Sequence, residues 1–281
     1  MPYPLEPGVM YMMPTHFGPY TGPRRGPGGR TFDCIDNPKS MNYAVSFLTN
    51  ADQLTPLLPP GFSLEGEPVV TVFTTHMKEI EWLAGRGYNV LGVTFPVRYE
   101  GKQDRAAGPL LTVLWENMTD PILTGREQIG FAKIYCDLPE PVVRADETHL
   151  TASWEGFRFL DLRFGGMKEV AEGDFPPASV AEIDGVAQGT LHYKYIPRTG
   201  DWGVADAEYA CLTPNGNSNA VTKQMWLGDG TVQFRHARWE DLPTQYSIVN
   251  TFADLEIKEW RGATITRSVG GKDLSDQRAL S

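Results

Sequence analysis

The segment 125–138, GREQIGFAKIYCDL, sets one lysine, Lys133, in a run that otherwise carries no charge from Gln128 to Cys136. Read as a strand over 129–136, period-two alternation puts Ile129, Phe131, Lys133 and Tyr135 on one face and Gly130, Ala132, Ile134 and Cys136 on the other. A lysine so placed either snorkels to solvent with its stem on apolar surface or is partly buried. Burial disfavours the ammonium. Holding such an amine neutral near pH 7 takes roughly 4–5 kcal/mol from the fold. The product is a nucleophile that attacks a ketone and forms an iminium.

Other groups able to move protons or hold an anion stand near it in sequence. Arg126 could bind a carboxylate through two parallel hydrogen bonds, or pair with Glu127. Glu127 could be a general acid or base, or a structural partner. Glu116, in WENMTDP, closes the strand that leads toward the motif. His16, in PTHFGP, could cap the site from the N-terminal arm or be a solvated tail residue. Tyr246 is a candidate proton donor from late in the chain. The remaining histidines lack H-x-x-x-H spacing, which argues against a metal site. Gly228-Asp229-Gly230 reads as a turn, and Gly26–Gly29 lacks the flanking strand and helix of a nucleotide fingerprint.

The elements that must position these groups read as short strands separated by turn signals. Strands are expected at 41–49, 67–77, 88–101, 108–118, 149–164, 189–200, 205–214, 230–239 and 263–269, with a loop running into a strand over 125–138. A short helix or turn broken at Pro59-Pro60 fits 51–62. Helices fit 167–173 and 243–255. Residues 1–39 are rich in Pro and Gly and read as an extended arm; 40–281 read as one β-rich α+β domain.

The net charge of -10, from 25 basic and 35 acidic residues among 281, argues against nucleic acid and anionic membranes as partners. An anionic substrate would need local basic residues. Three distant cysteines, Cys34, Cys136 and Cys211, support neither a disulfide framework nor a zinc site and fit a reducing cytoplasm. The first residues lack a secretory pattern, and no apolar run is long enough for a membrane span.

The stretch Gly125-Arg126-Glu127 followed by Phe131-Ala132-Lys133 resembles the acetoacetate decarboxylase superfamily, in which an aromatic-x-Lys lysine after Gly-Arg-Glu makes a Schiff base. LTPLLPPGFSLEGEPVVTV (54–72), YKYIPRTG (193–200) and MWLGDGTVQF (225–234) are similar to further family segments in the same order, so the likeness spans roughly 40–265. Lys133 falls on the family's nucleophile. Two departures stand out. The second lysine that follows the nucleophile in decarboxylating members is Ile134 here, and the acid of a family Tyr-x-Glu segment is Val90 in Tyr88-Asn89-Val90. An early arginine of the family has no clear counterpart near Lys39-Ser40.

The resemblance implies a β-barrel or cone with few helices, Lys133 on the wall of an internal cavity, a homo-oligomer, and a lyase that needs no cofactor. The iminium would act as electron sink for a small oxo acid, in decarboxylation or, as the missing features favour, in pyruvate-type aldol and dehydration chemistry. A non-catalytic protein that binds small oxo compounds is the reading of another class.

Overall fold

The computed structural model describes residues 5–7, 9, 11–17, 26–175 and 185–281. Its strands are β1 (Lys39–Leu48), β2 (Phe62–Leu64), β3 (Val69–Ile80), β4 (Arg86–Glu100), β5 (Arg105–Glu116), β6 (Lys133–Tyr135) and β7 (Val142–Arg144). They continue with β8 (Glu147–Trp154), β9 (Phe157–Glu169), β10 (Ala187–Pro197), β11 (Ala205–Pro214), β12 (Val221–Phe234), β13 (Glu259–Val269) and β14 (Arg278–Ala279). The helices are α1 (Ala51–Leu54), α2 (Thr119–Thr124) and α3 (Tyr246–Ala253), with a π-helical turn over Gly125–Ile129.

All the strands join one sheet, in the order β14-β11-β10-β5-β4-β3-β1-β13-β12-β9-β8-β7, with β2 paired to β4 and β6 to β5. The pairings are antiparallel except at β5. There β10 and β6 both run parallel to it, β10 beside Ala106–Leu110 and β6 beside Leu114–Glu116. No continuous ladder closes the sheet. Its arms meet at a single bridge, where Asp137 and Ser153 exchange backbone hydrogen bonds of 2.7 and 3.1 Å. The expected β-rich α+β class is what is seen, as an open curled sheet rather than a closed barrel.

Alternation along the strands separates two apolar faces. One carries the main core, including Val45, Phe47, Val72, Leu91, Val93, Trp115, Phe159 and Leu162. Phe252 of α3 seals it: the Trp115 ring packs on Phe159 and Phe252 at centroid distances of 5.5 and 6.3 Å. The opposite face carries a smaller cluster of Val90, Leu111 and Leu114, with Phe73, Met77, Tyr88 and Phe131 against it. Buried Gln245 ties these layers together. It accepts from Trp115 Nε1 at 2.7 Å and donates to the Tyr135 carbonyl at 2.9 Å, linking β5, β6 and the start of α3.

Several local expectations are corrected. The run 149–164 is a hairpin, because Glu155 and Gly156 both take positive φ (47° and 86°), as a tight two-residue turn requires. The helix expected at 167–173 is the end of β9, where Lys168 and Glu169 pair with Leu227 and Trp226; the ladder overrides local propensity. Gly228-Asp229-Gly230 lies inside β12 at a bulge. A Cβ on Gly230 would stand 2.6 Å from Ala263 Cβ, so glycine here permits close packing rather than a turn. The helix expected over 243–255 is α3. Among the described residues no helix is long and apolar enough to cross a membrane.

Replacing Gln245 with Leu leaves the buried Trp115 N–H and Tyr135 carbonyl without partners. Unfolding in urea should show a loss of about 1–3 kcal/mol, and an unchanged midpoint would refute the linking role.

Candidate active site

The lysine motif is not one strand. Chain leaving β5 at Glu116 forms α2, then the π turn, and stops at Gly130, whose φ of 81° is left-handed. The strand starts only at Lys133. Two glycines make this path possible. A Cβ on Gly130 would lie 2.8 Å from Lys194 Cβ, and one on Gly125 would lie 2.4 Å from Cδ and Cε of Lys133. The π turn is further held by Lys194 of β10, whose Nζ donates to the Glu127 carbonyl at 2.7 Å. The YKYIP segment thus clamps the GRE segment, which explains why the two keep company in the sequence.

Register brings the chemistry together. Val90 of β4 lies opposite Glu116 of β5, and Leu114 of β5 lies beside Lys133 of β6. Tyr88, Glu116 and Lys133 therefore project from the same face, the one opposite the main core. Lys133 is 6% exposed and Glu116 is 0% exposed. The amine is 2.8 Å from Glu116 Oε1 and donates to the Pro121 carbonyl at 3.0 Å. It also stands 5.6 Å from the Phe131 ring centroid. Lys133 is the one partner that the described residues give the Glu116 carboxylate, whose Oε2 has none. Burial pushes the Glu116 carboxyl above its usual range, against the opposing pull of Lys133.

Two ionisable neighbours of the pair are kept uncharged. Burial, then the neighbouring Glu116, push the Tyr88 phenol well up, so it keeps its proton. His192 is fully buried, and burial pulls its imidazole down to about 4. Its Nδ1 shares a 3.1 Å hydrogen bond with the Gly130 carbonyl, and its ring lies 4.2 Å from that of Phe131. A neutral His192 thus braces both the end of the π turn and the aromatic beside the amine.

Lys133 opens onto a cavity of about 120 Å³, lined also by Met77, Ile80, Tyr88, Gly125 and Ile129. That is several times the space of about 10–15 Å³ that one water needs. The cavity lies between the smaller apolar face, the α2–π turn and two covering segments, around Cys34–Pro38 and Lys272–Leu274. It is not the interior of a closed barrel, as the resemblance implied, because the sheet is open.

The sequence-derived candidates divide. Glu116 and Lys133 meet. Arg126 does not reach the amine: it donates to the Lys133 backbone carbonyl at 2.8 Å and lines a separate cavity of about 490 Å³ with Ile134, Ala132 and Phe252. Glu127 contributes its backbone carbonyl to Lys194, and its side chain does not line the lysine cavity. Tyr246, at the start of α3, is 39% exposed and lines neither cavity. The His16 side chain lies outside the described residues. Tyr88 and His192 were missed as site residues. Alternation counted back from Val90 points to Tyr88, whereas nothing local in the sequence marks His192. Among the described residues no group of three or more His, Cys, Asp or Glu side chains could hold a metal ion.

The chain belongs to the acetoacetate decarboxylase (ADC) family, whose sequence pattern matches residues 12–269. Among solved structures, it is similar to the enduracididine biosynthesis enzyme MppR complexed with pyruvate (17% identity, TM-score 0.61, covering 91% of this chain and 95% of that one). It is also similar to the acetoacetate decarboxylase of Legionella pneumophila subsp. pneumophila str. Philadelphia 1 (18%, TM-score 0.61, 91% and 92%). A third is an acetoacetate decarboxylase-like enzyme from Sphingomonas wittichii RW1 (14%, TM-score 0.56, 91% and 97%). No curated protein matches the chain.

Removing one partner of a buried pair strands the other charge. Lys133→Met should cost about 3–5 kcal/mol at neutral pH, and the double variant Glu116→Gln/Lys133→Met should recover most of it. The folded-state carboxyl is raised, so its penalty is absent below the ordinary glutamate range and builds as pH rises from there toward the raised value. Urea unfolding at pH 5 and pH 8 checks this; a loss as large at pH 5 as at pH 8 would contradict the stranded-carboxylate explanation.

Proposed function

We propose that this protein is a Schiff-base lyase of the ADC family that acts on a small oxo acid through Lys133. The observation that carries the reading is the buried pair. An amine must be neutral to attack a ketone, and Glu116, 2.8 Å away with a raised carboxyl, is placed to take its proton. In a dry site the two charges lose solvation that their attraction only partly returns, so a shared proton is favourable.

Proton transfer from Lys133 to Glu116 frees the amine. The nitrogen attacks the carbonyl carbon, and the carbonyl electron pair moves to oxygen. Glu116 returns its proton there, one of the two protons on the nitrogen passes to the resulting hydroxyl, and water leaves as the iminium forms. The iminium then accepts the electron pair of a breaking bond at the adjacent carbon.

Glu116 also answers one departure from the family pattern. The resemblance implies an acid where Val90 stands, and Val90 is the direct cross-strand neighbour of Glu116. Directly opposed residues have Cβ atoms about 4.5–5.5 Å apart. An acid in the neighbouring strand thus faces the same space. The pyruvate bound by the similar fold of MppR supports a small 2-oxo acid as substrate. A carboxylate beside the iminium also suits proton removal from the α-carbon. This favours enamine chemistry, aldol addition or dehydration, over simple loss of carbon dioxide.

Borohydride trapping with pyruvate and, separately, acetoacetate tests the reading by intact mass and peptide mapping. The expected outcome is a reduced adduct on Lys133, absent in Lys133→Ala and formed roughly 10²–10⁴-fold more slowly in Glu116→Gln. Release of carbon dioxide from acetoacetate would move the reading to decarboxylation. No adduct with either acid would overturn the oxo-acid lyase in favour of a protein that only binds such compounds.

A further inference from the structure

Tyr88 is a polar group on the cavity wall, with Asn37, Thr124 and Lys272, that the lysine–glutamate chemistry leaves unused. It stands two residues before Val90 on β4, so three adjacent strands carry a phenol, a carboxylate and an amine on one face, and the phenol and the amine line one cavity. Its ring is fixed among the apolar side chains around Val90, Leu111 and Leu114. Its hydroxyl has no hydrogen-bond partner among the described residues, yet the residue lines the lysine cavity. A largely buried phenol normally finds a partner for its O–H. Tyr88 is half-buried and its open direction is the cavity, so its partner is whatever acceptor enters there, water or a ligand oxygen.

We infer that Tyr88 donates a hydrogen bond to the substrate's carbonyl oxygen, holding and polarising it while Lys133 attacks the carbonyl carbon. This rests on the Schiff-base reading and deepens it. The role is that of a fixed donor, not of an acid. Giving up its proton would place a phenolate beside Glu116, which the raised phenol resists. As the C–N bond forms, negative charge builds on the oxygen, and a preoriented O–H in a dry site stabilises that charge more than the starting carbonyl. Glu116 then delivers the proton that makes the hydroxyl, and Tyr88 ends the step unchanged. The assignment selects for substrates whose attacked carbon bears a carbonyl oxygen free to accept.

Tyr88→Phe keeps the ring and removes only the donor. Time-resolved borohydride trapping, with whichever acid the unaltered protein captures, should show adduct formation at saturation slowed by roughly 10²–10³-fold. The shape of the pH profile should not change, because a group that keeps its proton contributes no limb. A second measurement does not depend on turnover. In the Glu116→Gln/Lys133→Met background, carbonyl-labelled substrate should show a lowered carbonyl stretching frequency that Tyr88→Phe returns toward its value in water-free solvent. Equal trapping rates with and without the hydroxyl, or a stretching frequency indifferent to it, overturn the role of Tyr88 while leaving the Schiff base standing. No adduct in the unaltered protein overturns the Schiff base itself.

Discussion

An ammonium and a carboxylate 2.8 Å apart, with almost no water contact, constrain everything built around them. Each ion gives up several kcal/mol of solvation, and their attraction returns that only when geometry and further hydrogen bonds are good. Here the geometry is uneven. Lys133 gains the Pro121 carbonyl as well, whereas Glu116 has only Lys133 among the described residues. Burial therefore holds the Glu116 carboxyl above its usual range, against the pull of Lys133.

The neighbourhood follows from that constraint. Around the pair, His192 is neutral, Tyr88 is protonated and Arg126 is turned to a different cavity, while Glu81 and Lys272 line the lysine cavity from outside the strands, Lys272 paired with Asp276 at 2.7 Å. The lost family lysine fits the same logic. Residue 134 lies next to Lys133 on a strand, where alternation sends its side chain to the opposite face, and Ile134 indeed lines the second cavity. A charge at that position could act on the amine only through the body of the strand. Burial and Glu116 act on it directly.

The strand positions were legible because half-buried strands alternate and turns use glycine and proline: 41–49, 67–77, 88–101 and 108–118 all lie within or close to observed strands. Lys133 was legible as a charge in an apolar run, and Glu116 as an acid ending the preceding strand. The closeness of the two was not, since it depends on a parallel β5–β6 pairing that no local pattern encodes. Period-two alternation over 129–136 failed for a definite reason. Gly125–Ile129 wind into a π turn, so only Lys133 onward obeys the strand rule. Arg126 misled because its type suits a carboxylate, whereas its position on that turn sends it to the far side. His192 and Lys194 brace the motif from 60 residues away in sequence, beyond any reading of spacing.

The β5 edge is where fold and chemistry meet. Parallel strands need a crossover between them, and the crossover from β5 to β6 is only the short α2–π turn. That brevity forces the turn to pass directly over the pair of residues it joins, Glu116 at its start and Lys133 at its end. It delivers the Pro121 carbonyl to the amine and requires Gly125 beneath it. A longer crossover would bring the same two residues together but leave the space above them open to water. Water would lower the cost of carrying charge there. The tight crossover thus explains, in one feature, why the acid and the amine are neighbours, why they are dry, and why glycine heads the motif.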